Sequence, residues 1–223
     1  MKERLLVCAL GLVLLAACGG GTKEMLSDGP GPGVKTGVKP EPDAEAAVIE
    51  TNYGRLVIEL YPNLAPKMVE RFKTLAREGF YNGTTFHRVN PQVIQGGDPN
   101  SKDADPRNDG FGDSPYPDVP GEFSDVPFER GTVGAARQGA RPAFGGSPAL
   151  TEEQARDTAN CQFYVTLRPA PEWDGNYTVF GRVIEGMNNA DVIAATPTVP
   201  GTERPEGNVV IKSVTLQSRA SFK

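Results

Sequence analysis

From Val48 onward the chain reads as short apolar runs punctuated by turn residues. Val48-Ile49-Glu50 and Leu56-Val57-Ile58-Glu59-Leu60 flank Thr51-Asn52-Tyr53-Gly54 and predict a hairpin, because β-rich runs broken by turn formers fold back on themselves. Beyond it Pro66 stands where the first turn of a helix tolerates proline. Met68, Val69, Phe72, Leu75 and Ala76 then recur at three- and four-residue steps as far as Gly79, which predicts an amphipathic helix with its stripe on a sheet. Further strands are expected over 85–89, 93–95, 131–135, 162–167, 178–183 and 209–216, with a second short helix over 187–195. Few connections are long enough for parallel crossovers, so the sheet should be mainly antiparallel and close on itself. The stretches 98–127 and 138–158 are long for simple connections and are expected to be functional loops or surface elaborations. Within the second, Thr151-Glu152-Glu153-Gln154 after Pro148 has the form of a capped helix start.

The N-terminal pattern is different. Lys2 and Arg4 precede an apolar run over 5–17 that is too short to span a bilayer and ends at Leu15-Ala16-Ala17-Cys18. That tetrapeptide resembles the lipobox of bacterial lipoproteins, which implies a signal peptide over 1–17, lipidation at Cys18 and a chain anchored to a membrane through that lipid only. The expected location is the cell envelope, facing away from the cytoplasm. Residues 18–46 are rich in Gly, Pro and charge and poor in large apolar side chains, and read as a flexible tether. Residues 47–218 then form one folded domain, and 219–223 a C-terminal tail.

Charge and cysteine content narrow the chemistry. The whole chain carries 23 basic and 28 acidic side chains, and without the signal the balance is 21 to 27, so a mildly acidic domain with no basic run offers nothing to nucleic acid. Of the three cysteines, Cys8 leaves with the signal and Cys18 would be lipidated; only Cys161 remains, which excludes a disulfide framework. His87 is the single histidine, so no His/Cys cluster of metal-ligand spacing exists and neither metal nor other cofactor is expected.

The most informative stretch is Thr84-Thr85-Phe86-His87-Arg88-Val89, followed by Val93-Ile94-Gln95-Gly96-Gly97-Asp98. Around it, in order, come Tyr81-Asn82-Gly83, Arg130-Gly131-Thr132-Val133, Asn160-Cys161-Gln162-Phe163-Tyr164-Val165 and Trp173-Asp174-Gly175 with Tyr177-Thr178-Val179-Phe180-Gly181. These strings resemble the cyclophilin family over nearly all of 48–216. The resemblance implies a mainly β fold, a closed eight-stranded antiparallel barrel capped by two α-helices, with the active site on its outer face. It also implies peptidyl-prolyl cis/trans isomerisation of proline-containing polypeptides. Arg88, Gln95 and Gln162 would be the catalytic residues, and Phe86, Gln92, Val93, Ala136, Arg137, Tyr164, Trp173 and Tyr177 would bind substrate.

An arginine suits that task because it stays charged and its planar fork holds two acceptors at once. His87 is expected to pack or hydrogen-bond on the face of its strand opposite Phe86 and Arg88, and Cys161 to be an inert core thiol. The chain departs from the family pattern in three places. The segment between Arg88 and Gln95 is one residue short, so a phenylalanine of the proline cup is deleted or replaced by Gln92. Arg137 follows Ala136 where asparagine is common. Trp173-Asp174-Gly175 is one residue tighter than usual. Two functions stay open at this point: a monomeric foldase for exported proteins, or a proline-peptide-binding module or scaffold with little turnover.

Overall fold

The computed structural model describes residues 33–144 and 148–223. Eight strands form one sheet, β1 (Glu45–Thr51), β2 (Gly54–Leu60), β3 (Arg88–Val89), β4 (Val93–Gly96), β5 (Thr132–Ala135), β6 (Phe163–Thr166), β7 (Val179–Glu185) and β8 (Ile211–Ser218), in the spatial order β3-β4-β6-β5-β7-β2-β1-β8. Every named pairing is antiparallel. The predicted closure is only partial. The end strands β3 and β8 do not pair with each other, and the two ends of the sheet meet through the single Thr85–Val210 bridge and backbone bonds such as Phe86 N–H to Val209 carbonyl at 2.9 Å. The result is a curled half-barrel, because residues 85–87, expected as strand, are irregular and leave β3 with two residues.

Three α-helices accompany the sheet, the two expected to cap it and a short one in the segment after β5: α1 (Pro66–Arg77), α2 (Glu152–Ala155) and α3 (Met187–Ala194). The predicted stripe of α1, Met68, Val69, Phe72, Leu75 and Ala76, is buried. Inside the curl Phe72 meets Tyr81, Phe163 and Phe180 at centroid distances of 5.1–5.5 Å, an aromatic filling that closes the interior to ligands. α2 is the capped helix foreseen at Thr151, whose hydroxyl accepts from the Gln154 N–H while the Gln154 amide oxygen accepts from the Thr151 N–H.

Both ends of the domain are longer than composition implied. From residue 33 on, the segment assigned to the tether lies against the domain. Lys35 N–H donates to the Phe123 carbonyl at 2.9 Å, its ammonium to the Leu64 carbonyl at 2.7 Å, and Val38 packs beside Tyr61 and Leu64. Lys73 of α1 pairs with Asp43 and Glu45, each at 2.8 Å. The C-terminal tail is docked as well, with Phe222 buried against Ala46, Val48 and Val57, so β1 is covered on both faces. The polar groups that made these stretches look solvated find partners instead. The signal, Cys18 and residues 19–32 lie outside the described residues.

Candidate functional site

On the outside of the curl, β4 carries Gln95 between Arg88 on β3 and Tyr164 on β6, since the register pairs Arg88 with Gln95 and Gln95 with Tyr164. A hydrogen-bonded relay follows from that register. Arg88 Nη1 donates to Gln95 Oε1 at 3.2 Å, Gln95 Nε2 donates to Gln162 Oε1 at 3.1 Å, and Gln162 Nε2 donates to the carbonyls of Gly110 and Gly112, both at 3.0 Å. Gln162 is buried and its amide fully used, which offsets the cost of removing it from water. Arg88, at the open end, is half exposed and presents its guanidinium to solvent.

Beside the relay lies an aromatic shelf, separate from the interior cluster: Val93, Phe128, Tyr164 and Val179 with Trp173, Tyr177 and Ala136 packed on them. Trp173 meets Tyr164 edge-on at 5.4 Å, Tyr177 meets Tyr164 at 6.1 Å, and Phe128 stacks near Tyr164 at 6.0 Å. Gly134 makes room for the Tyr164 ring, because a Cβ there would fall 2.4 Å from its Cζ. The Tyr164 hydroxyl is buried without a partner among the described residues, and burial first, with the neighbouring Tyr177, pushes its pKa well up. An open cavity of about 490 Å³ adjoins the relay and meets the shelf at Ala136, walled by Gln95, Ala136, Arg137, Arg141, Asn160 and Gln162 among others.

Most of the expected site residues therefore come together, and two do not. Phe86 is wholly buried in the interior, edge-on to Phe163 at 6.0 Å, because the irregular backbone at 86–87 breaks the alternation that would have placed it on Arg88's face. Gln92 is absent from the aromatic shelf. Its amide oxygen accepts from Arg168 Nε and its amide nitrogen reaches the Pro169 carbonyl at 3.4 Å, while Val93 alone fills the shelf. The shortened turn is held by Asn90, whose side-chain oxygen accepts from the N–H groups of Gln92 and Val93 at 2.7 and 2.8 Å. Asn90-Pro91 was a readable turn signal for that role.

His87 is buried, as expected, yet neither ring nitrogen has a hydrogen-bond partner among the described residues. Burial lowers its pKa, opposed by the charge of Asp98. Cys161 is a buried free thiol pushed up to about 12 by burial and by Asp113 and Asp98, which suits an inert role. Glu203 was not foreseen at all. Its carboxylate accepts from Arg88 Nε at 2.5 Å and from Asn90 Nδ2 at 2.7 Å. Nothing local in Thr202-Glu203-Arg204 marks it, since its partners lie more than 110 positions away in the chain.

A surface guanidinium on a neutral amide relay, next to an apolar aromatic shelf, handles a peptide group by hydrogen bonding and apolar contact. That is the class of a noncovalent peptide-bond isomerase. Residues 46–216 match the family model described as "Cyclophilin type peptidyl-prolyl cis-trans isomerase/CLD", and the chain belongs to that family of enzymes. It is 39% identical over 165 residues to a "Probable peptidyl-prolyl cis-trans isomerase" of Brucella suis biovar 1 (strain 1330), covering 72% of this chain and 76% of the relative. To "Peptidyl-prolyl cis-trans isomerase ppi1" of Schizosaccharomyces pombe it is 36% identical, covering 75% of this chain and 97% of that one. Among solved structures, a cyclophilin-type isomerase of Cryptosporidium parvum, crystallised in the presence of the dipeptide Ala-Pro, superimposes with a TM-score of 0.64 at 26% identity, covering 78% of this chain and 99% of that chain.

Proposed function

We propose that this isomerase acts on X-Pro bonds of polypeptides folding outside the cytoplasm, from a membrane surface to which a lipid on Cys18 holds it. The observation that carries the catalytic half is the free edge of Arg88. Nε and Nη1 are engaged by Glu203 and Gln95, whereas Nη2 makes no hydrogen bond among the described residues and remains for substrate. Amide resonance sets a rotation barrier of roughly 18–20 kcal/mol, and a donor aimed at the prolyl nitrogen favours the twisted state in which that nitrogen regains its lone pair. The accessible side of the shelf, where Trp173, Tyr177 and Ala136 pack on Tyr164 and Val93, supplies the apolar contact for the proline ring, and no bond to the enzyme forms. A free donor edge favours turnover over a binding module, which would need only the shelf.

Arg88→Ala in the full chain is expected to lower kcat/KM for a proline tetrapeptide about 100-fold with an unchanged unfolding temperature. Equal turnover would remove Arg88 from the mechanism. What supports the membrane half is Leu15-Ala16-Ala17-Cys18 at the end of an apolar run too short to span a bilayer. Cys18→Ser should move the protein from the membrane fraction to the soluble one; persistence in the membrane fraction would refute the lipid anchor.

A further inference from the structure

Glu203 belongs to a small turn between α3 and β8. The turn is braced internally by the Val199 N–H to Arg204 carbonyl bond at 2.9 Å and the Glu206 N–H to Pro197 carbonyl bond at 2.8 Å. From it Glu203 reaches the β3 end of the site at three points. Its backbone carbonyl accepts from the Val89 N–H at 2.7 Å, and its two carboxylate oxygens accept separately from Arg88 Nε and Asn90 Nδ2. Asn90 in turn fixes the turn that delivers Val93 to the shelf. One side chain thus touches both the donor arm and the bend that sets the apolar wall.

The geometry of the guanidinium gives this contact a consequence. A long arginine side chain at a half-exposed position samples many rotamers, and holding it costs conformational entropy. Glu203 on Nε and Gln95 on Nη1 clamp two sides of the fork, which leaves Nη2 as the edge facing outward. A carboxylate is the stronger clamp because the hydrogen bond is charge-assisted. We propose that Glu203 is a positioning residue for isomerisation, acting through Arg88 by fixing which edge of its guanidinium meets the prolyl amide. This rests on the reading of Arg88 as the donor to substrate.

The test uses the full chain and a proline tetrapeptide. Glu203→Ala should lower kcat about tenfold with KM changed less than about twofold, since the shelf still binds while the donor is misplaced. Glu203→Gln, whose amide oxygen still accepts from Nε, should recover about threefold of that loss. In an Arg88→Ala background, Glu203→Ala should have no further effect on kcat, which a merely structural role would not produce. The Arg88 Nε–H resonance should shift upfield and exchange faster with water in Glu203→Ala. Parental kcat in Glu203→Ala, with Arg88→Ala impaired, overturns the positioning role and leaves Arg88 standing. Parental activity in Arg88→Ala overturns the functional reading itself. Should the alanine variant not fold, the near-isosteric Glu203→Gln decides: parental kcat despite an upfield-shifted, faster-exchanging Nε–H resonance overturns the proposal, and a kcat that falls with that shift upholds it.

Discussion

Arg137 lies over the ring of Tyr177, its guanidinium carbon 4.4 Å from the ring centroid. The same side chain is nearly buried, donates from Nη1 to the Gln138 carbonyl at 3.0 Å and approaches Glu152 of α2 at 3.7 Å. Arg137 therefore joins the aromatic shelf to the long segment after β5, and together they wall the cavity beside Gln95 and Gln162.

Among the described residues two arginines, 137 and 141, line that cavity with one carboxylate, Asp113, and Arg137 is faced from behind by Glu152. A peptide whose residue ahead of X-Pro is acidic should gain from them. A glutamate there is expected to give about fivefold higher kcat/KM than a lysine, roughly 1 kcal/mol, the upper range for pairs that water still reaches. The preference should shrink with added salt and fall to near unity in Arg137→Ala. Equal rates for both peptides in the parent protein would show that the cavity does not read charge.

His87 couples the site to acid. Burial holds its pKa below the usual histidine value, with Asp98 opposing and Arg88 adding to the shift. Asp103, Asp109 and Arg204 line the same small recess and complete its charged surroundings. The unfolded chain binds a proton near pH 6.5 while the folded chain resists it, so stability is full above that value and is lost as pH falls through the window beneath. The expected slope is at most about 1.4 kcal/mol per pH unit. Thermal unfolding followed from pH 7 to pH 5 should show this loss in the parent and a flatter curve in His87→Leu. Parallel curves would mean that His87 is protonated as readily in the fold as outside it.

Elements with strong local periodicity were legible in the sequence. The α1 stripe, the 48–60 hairpin and the antiparallel sheet rest on spacings that survive any tertiary arrangement. Arg88, Gln95, Gln162 and Tyr164 were legible because motif spacing and strand register agree. What escaped depends on partners distant in the chain. Lys35, Asp43 and Arg219 look like solvated charges, yet Lys35 caps carbonyls near Pro66, Asp43 pairs with Lys73, and Arg219 pairs with Glu59 at 3.0 Å. Phe222 gave no periodic signal, being a lone ring in a short polar tail. Composition reports which groups want water and not which of them find a protein partner.

The missing residue between Arg88 and Gln95 is where sequence and structure part most instructively. The family spacing left a phenylalanine of the cup either deleted or replaced by Gln92, with Val93 beside it, and the structure gives the orientation of both. Gln92 turns toward Arg168 and Pro169, its backbone carbonyl accepting from the Leu167 N–H at 2.9 Å, and Val93 is buried among Tyr164, Phe128 and their neighbours. Gln92→Phe therefore adds no wall to the shelf. It breaks the Arg168 contact, leaves a ring on the outer side, and should change KM for a proline peptide by less than about twofold. Val93→Ala removes two methyl groups from beneath the shelf, leaves a void under the Tyr164 ring and should raise KM for the peptide about fivefold by loosening the surface that Trp173, Tyr177 and Ala136 present. Titrating both variants and the parent with the same peptide compares the two positions directly. A tenfold gain in kcat/KM for Gln92→Phe would mean that the turn at Asn90 reopens in solution and delivers position 92 to the proline ring.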